Sequence, residues 1–239
     1  MLVPALALSF TFALGEIPAA LRCEVEDGPG SSAAHAAVAD PVAARAAIAD
    51  STLRATYESG VTWDSFLADA RARRALWLSN WERALVPADA LAQARALPGR
   101  WLILAIALDA CSDSVNTIPY LAKLAEEVPA LDIRIVHPDA ARGLMAARRT
   151  PDGRAATPTV ILLDLAGNEV GCWVERPAEL QRRAIEARAG GGTSQFASEK
   201  QGWYDRDAGA STVREVVALL AAAAGGARGC DAGGPSSGL

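Results

Sequence analysis

Two histidines, four scattered cysteines and no C-x-x-C pair leave little in this sequence for a zinc centre or a local dithiol. His35 and His137 have no cysteine close by, so no metal site is expected. Basic excess is also missing. The net charge is −5, and no Lys/Arg cluster alternates with aromatics, which excludes a nucleic-acid partner. No apolar run is long enough to span a bilayer. The longest candidate, MLVPALALSFTFALGE, has signal-peptide length only. It lacks a basic n-region, since no Lys or Arg precedes Arg22. A cytoplasmic, reducing compartment is therefore expected, and export is the alternative if residues 1–15 are a signal peptide. A start assigned too far upstream explains the segment equally well. No phosphate loop and no placeable Ser/His/Asp set occurs.

Aromatics are scarce at 5%, but six of them are tryptophan, so a few large anchors are expected to organise the core. Apolar residues reach 51%, much of it alanine, and 239 residues suffice for one sizeable domain with extensions. Residues 1–40 read as an apolar segment and a flexible Gly/Ser/Ala arm, and 41–99 as a helical section. Within it, PVAARAAIADSTLRATYESG predicts one helix, TWDSFLADARARRALWLSNWERAL a second and PADALAQARALPG a third. Trp63, Phe66, Leu67, Leu76, Trp77 and Trp81 fall on an apolar face of that second helix.

Residues 100–224 read as the main domain and 225–239 as a disordered tail. WLILAIAL is a continuous apolar run, as for a strand buried on both faces. CSDSVNTIPYLAKLAEEVP predicts a helix kinked at Pro119. LDIRIVHP is a second strand and DAARGLMAARRT a second helix. TPTVILLD and NEVGCWVE form a hairpin across Gly167-Asn168, and GWYDRDAGASTVREVVALLAAAA ends in an amphipathic helix. The order predicts an α+β protein, a three-layer α/β/α sandwich with a mixed sheet.

Taken together, a cysteine where the first strand becomes a helix (DACSDS), a Thr-Pro before the third strand, the TIPYLAKLAEE, IRIVHPD and WVERPAELQ segments and the flanking helices resemble the thioredoxin-like superfamily. The likeness spans about residues 62–222 and is to the group with a Trp-Cys-Gly-Asp type site. Cys111 and Asp113 match that site. Ala110 and Ser112 replace its Trp and Gly, and Ser114 stands where a second redox cysteine would be. The resemblance implies a C-x-x-S monothiol site in which Cys111 is the nucleophile. Asp113 would tune it, and Thr157 and a cis Pro158 would hold the substrate backbone. The start of a helix favours the Cys111 thiolate, whereas the Asp113 carboxylate opposes it.

Thiol–disulfide exchange on protein or small-thiol disulfides is the function that follows, with no cofactor beyond an external thiol such as glutathione. The alternatives are a non-catalytic protein-binding module, using the proline groove or the Trp63/Trp77/Trp81 section, and an exported thiol protein. Cys172 reads as a buried structural thiol, Cys230 as a free thiol on a mobile tail and His137 as a loop residue without a role.

Overall fold

The structure is a computed structural model that describes residues 50–230. The expectations for the apolar start, the arm, the first part of the helical section and the last nine residues lie outside them.

Four helices lead: α1 (Asp50–Ser59), α2 (Trp63–Asp69), α3 (Arg74–Arg83) and α4 (Ala88–Arg95). The main domain continues with β1 (Trp101–Ile106), α5 (Ser112–Val115), α6 (Ile118–Glu127), β2 (Leu131–Val136), a 3-10 turn (Pro138–Ala140) and α7 (Arg142–Ala146). Then follow β3 (Thr159–Asp164), β4 (Glu169–Val174), α8 (Ala178–Ala189), α9 (Thr193–Asp207) and α10 (Ala210–Ala224). The strands form one sheet in the order β2-β1-β3-β4. β1 and β2 are parallel, and β1/β3 and β3/β4 are antiparallel.

Every residue of β1 is buried, because helices cover both faces of the sheet. Successive side chains alternate between those faces. Trp101, Ile103 and Ala105 join Trp77, Leu121, Leu124, Val216 and Leu220 in one core. Leu102, Leu104 and Ile106 join Leu53, Tyr57, Leu144 and Met145 in the other. That is the expected three-layer α/β/α sandwich. The leading helices are part of it rather than an appendage: Val61 bridges to Ile135 of β2, and Trp77 is fully buried.

Three expected helices before β3 are broken. The tryptophan helix is α2 plus α3, with Arg73 in the left-handed region (φ 52°). Its apolar face holds across the break, where Trp63 lies 5.0 Å from Trp81 and Phe66 4.9 Å from Trp77 between ring centroids. The helix after β1 is α5 plus α6. Pro119 does not kink a helix interior but sits in the first turn of α6, where its missing N–H leaves no bond unmade. DAARGLMAARRT yields only the 3-10 turn and five-residue α7.

No element was expected between NEVGCWVE and GWYDRD, yet α8 and α9 form a helical hairpin there. Most of AELQRRAIEARA and TSQFASEKQ is polar, so periodicity is weak. The hairpin has its own small core of Leu180, Ala184, Phe196, Trp203 and Tyr204. The predicted closing helix is the end of α9 plus α10, separated at Ala208 and Gly209, both left-handed. A side chain at Gly209 would meet the Tyr120 ring at 2.0 Å, so only glycine fits.

The cysteine expectations need correction. Cys172 and Cys230 are not lone thiols but are joined in a disulfide across 58 residues. Edge strand β4 thereby holds the chain after α10, and a free thiol on a mobile tail does not describe Cys230. A disulfide lends no support to the expected reducing compartment. Among the described residues no helix is long and apolar enough to cross a membrane.

Candidate functional site

The loop between β1 and α5 is pinned by the break between α2 and α3. Asp109 accepts the N–H groups of Arg71 (2.8 Å) and Ala72 (2.9 Å), which the interrupted helix would otherwise leave unpaired. Trp77 Nε1 donates to the Asp109 carbonyl at 3.0 Å, and Arg73 Nε to the Ala110 carbonyl at 2.8 Å. The helical section thus fixes the residues that present Cys111.

Cys111 is the N-cap of α5, and its sulfur accepts the Ser114 N–H at 3.4 Å. The same sulfur lies 3.3 Å from the Thr157 carbonyl oxygen, and the Thr157–Pro158 bond is cis. The structure therefore brings Cys111 together with Thr157 and Pro158. Because α5 has only four residues, its dipole is small, and the individual Ser114 N–H is the nearer electrostatic partner. No cysteine is free among the described residues: Cys111 is disulfide-bonded, and the sulfur bound to it is neither Cys172 nor Cys230, which bond each other.

Asp113 lies one residue into α5, fully buried, and its carboxylate faces cations. Arg176 Nη2 reaches Oδ2 at 2.9 Å, Lys200 Nζ reaches Oδ1 at 3.1 Å, and the Tyr204 hydroxyl donates to Oδ1 at 2.8 Å. Burial by itself raises the Asp113 carboxyl, but the Arg176 and Lys200 charges outweigh it and hold the group below the usual carboxylate range. Burial also pulls the Lys200 ammonium below its ordinary value, against the attraction of Asp113, and pushes the Tyr204 hydroxyl well above its own. The expected contest between Asp113 and a Cys111 thiolate is thus altered, because the carboxylate's charge is already balanced by two cations.

The network continues into the proline loop. Arg176 also pairs with Glu175 at 2.8 Å, and Glu175 pairs with Arg154 at 2.7 Å. The Glu175 N–H donates to the Pro158 carbonyl at 2.7 Å, with Glu175 itself at φ 69°. Lys200 additionally donates to Ser112 Oγ at 2.7 Å. Sequence reasoning missed Arg176, Lys200 and Tyr204 as neighbours of Asp113. The only signal for them was the WVERPAELQ segment, whose arginine follows the last strand. Lys200 and Tyr204 belong to the unexpected hairpin.

His137 stands apart, exposed, its Nδ1 accepting the Asp139 N–H at 3.3 Å. It lines a cleft of about 360 Å³ with Phe66, Asp69, Asp109 and Ile135, at the ends of the parallel strands.

A mixed four-stranded sheet, a cysteine capping the helix after its first strand and a cis-proline facing that sulfur define a thioredoxin-like protein. A family model described as thioredoxin matches residues 60–188, and the chain belongs to that family. No curated protein matches it. Among solved structures, a protein of unknown function from Pseudomonas aeruginosa is 16% identical, with a TM-score of 0.51, over 69% of this chain and 94% of its own. A crystal structure of an HIV epitope-scaffold is 18% identical, with a TM-score of 0.51, over 70% of this chain and 96% of its own. Both likenesses are of fold alone.

Proposed function

We propose that the chain exchanges thiols and disulfides through Cys111. The observation that carries this reading is the placement of the Cys111 sulfur, 3.3 Å from the carbonyl that precedes the cis-proline and within reach of the Ser114 N–H. An amide donor at the sulfur favours the thiolate, which is the attacking form.

In this reading, the disulfide at Cys111 is the oxidised state. An external thiolate, glutathione or a protein thiol, attacks the sulfur bonded to Cys111, forms a mixed disulfide there and expels Cys111 as thiolate. A second external thiolate then attacks that mixed disulfide, leaves as the external disulfide and frees the second protein thiol. The Cys111 thiolate attacks one sulfur of a substrate disulfide, forms a Cys111–substrate mixed disulfide and expels the other substrate thiolate. With Ser114 at the fourth position of the motif, no neighbouring thiol resolves the intermediate. Cys23, the one cysteine outside residues 50–230, is the resolving thiol in this reading. It attacks the Cys111 sulfur, releases the second substrate thiolate and restores a disulfide at Cys111. Thr157 and Pro158 form the wall against which an extended substrate lies. Asp113, paired with Arg176 and Lys200, holds the start of α5 in place.

A second reading, a thioredoxin-fold module that binds partners without catalysis, is favoured by one observation. Cys111 and Asp113 are both fully buried, so a reagent reaches the sulfur only through local opening. The two readings separate in one assay. The wild type and the Cys111→Ser and Cys23→Ser variants are supplied with glutathione and a mixed-disulfide peptide. Exchange lost in Cys111→Ser, with the mixed disulfide trapped on Cys111 in Cys23→Ser, supports catalysis. No turnover by the wild type, together with alkylation of reduced Cys111 that follows a thiol pKa near ~8.5, sinks it.

A further inference from the structure

On the far edge of the sheet from β2, strand β4 carries a cluster that the proposed exchange chemistry does not use. Glu169 opens the strand, Cys172 follows on it, and Cys230 returns from the chain after α10. One carboxylate oxygen and the two sulfurs all lie within 4.8 Å of one another. Glu169 Oε1 is 2.9 Å from the Cys230 sulfur, and the Cα atoms of the two cysteines are 4.5 Å apart. We propose that reduction of the Cys172–Cys230 disulfide creates a zinc site in which both thiolates and Glu169 are ligands, so that metal binding and disulfide formation exclude each other.

The donor chemistry suits zinc. Two thiolates and one carboxylate are ordinary ligands of the ion, at about 2.3 Å for sulfur and about 2.0–2.2 Å for oxygen, and water completes a tetrahedron. The carboxylate is already oriented. Arg148, whose side chain is fully buried, holds Glu169 through two bonds, Nε to Oε1 at 2.9 Å and Nη2 to Oε2, and is itself fixed by donating from Nη1 to the Leu144 carbonyl at 2.8 Å. Such outer partners fix ligand geometry.

Charge points the same way. Two thiolates and a carboxylate carry three negative charges in a partly buried pocket. Arg148 offsets one, and a divalent cation offsets the other two. In the oxidised state the sulfurs carry no charge, and Arg148 with Glu169 is a neutral pair with nothing left for a cation. Conversion consumes two electrons and two protons from an external dithiol, which becomes a disulfide. Binding of the ion then releases the two thiol protons.

The test uses the full chain with Cys23→Ser and Cys111→Ser, so that the β4 pair supplies the only cysteines, reduced with a phosphine that offers no competing thiol. Co²⁺ is titrated as the spectroscopic stand-in and displaced with Zn²⁺. The expected result is one equivalent of Co²⁺ with a thiolate-to-metal charge-transfer band, none in the oxidised protein, and the band lost in Cys230→Ser. Cys230 follows α10, so that substitution leaves the core side chains in place. Glu169→Gln is expected to weaken binding by at least the roughly tenfold that loss of an outer partner costs. No band in the reduced protein, or an affinity unchanged by Glu169→Gln, overturns the proposal. Should the double-serine background not fold, by its near-UV circular dichroism, the same comparison is read between reduced wild type and Cys230→Ser. An equal number of equivalents in the two overturns it.

Discussion

Arg176 Nη2 meets Asp113 Oδ2 at 2.9 Å with both side chains sealed from solvent, and this pair ties the turn after β4 to the helix that starts at Cys111. Lys200 and Tyr204, from the α9 helix of the hairpin, close on the same carboxylate. One buried side chain therefore joins the cysteine helix, the turn after β4 and the α8–α9 hairpin.

Asp113→Asn is expected to be strongly destabilising. Removing the anion takes the Asp113 carboxylate from two buried cations, Lys200 and Arg176, the latter keeping only its pair with Glu175. The loss is about 3–5 kcal/mol, read as a lower urea midpoint with an unchanged slope. The pH dependence has a definite sign. The folded Asp113 carboxyl lies below its ordinary value, so its contribution is complete above the unfolded pKa of about 3.9 and is lost as pH falls through the folded value. Wild type should lose stability in acid more steeply than Asp113→Asn. Equal acid slopes would place the pairing outside the energetics of folding.

The tyrosines offer a spectroscopic check on the same packing. All three in the chain are displaced upward from their ordinary value: Tyr57 to about 12, through burial and then its bond to Asp132, and Tyr120 and Tyr204 chiefly through burial. The folded state favours the neutral phenols. That contribution to stability is complete below the unfolded pKa of about 10 and is lost as pH rises through the folded values. A native ultraviolet titration should show phenolate formation displaced to higher pH than in denaturant, where all three groups ionise near pH ~10. A native step at the ordinary value would contradict the burial of at least one ring.

Much of this was legible in the residues. WLILAIAL announced a doubly covered strand, the Gly167 hairpin sits where its dipeptide placed it, and Cys111 and Thr157-Pro158 meet as their positions implied. What was not legible shares a physical cause. The α8–α9 hairpin buries its few apolar residues against one another and spends Lys200 on a buried anion, so its sequence reads as a solvated segment. Ionic and disulfide partners distant in sequence leave no periodic trace: Asp113 and Lys200 are 87 residues apart, Cys172 and Cys230 58. Helix breaks were hidden for a similar reason. The gap between α2 and α3 is sustained by a carboxylate from the cysteine loop, and no local propensity reports a cap supplied from elsewhere.

That cap makes the last prediction. Asp109 accepts two backbone N–H groups at the start of the gap and offers its own carbonyl to Trp77, so Asp109→Ala removes the first pair of bonds and leaves the second. The stability cost is that of a lost cap, about 1 kcal/mol, because the Arg71 N–H lies near solvent and water can replace part of what is lost. The local effect is larger than the global one. Without its anchor the loop opens more often, and Cys111, buried in the intact protein, becomes accessible through that opening. After reduction, alkylation of Cys111 in Asp109→Ala should run faster than in wild type by more than the change in global unfolding free energy allows. The Asp109→Asn variant, which retains one acceptor oxygen, should fall between the two. An alkylation rate that merely tracks global stability across the three proteins would show that the helical section does not govern exposure of the thiol.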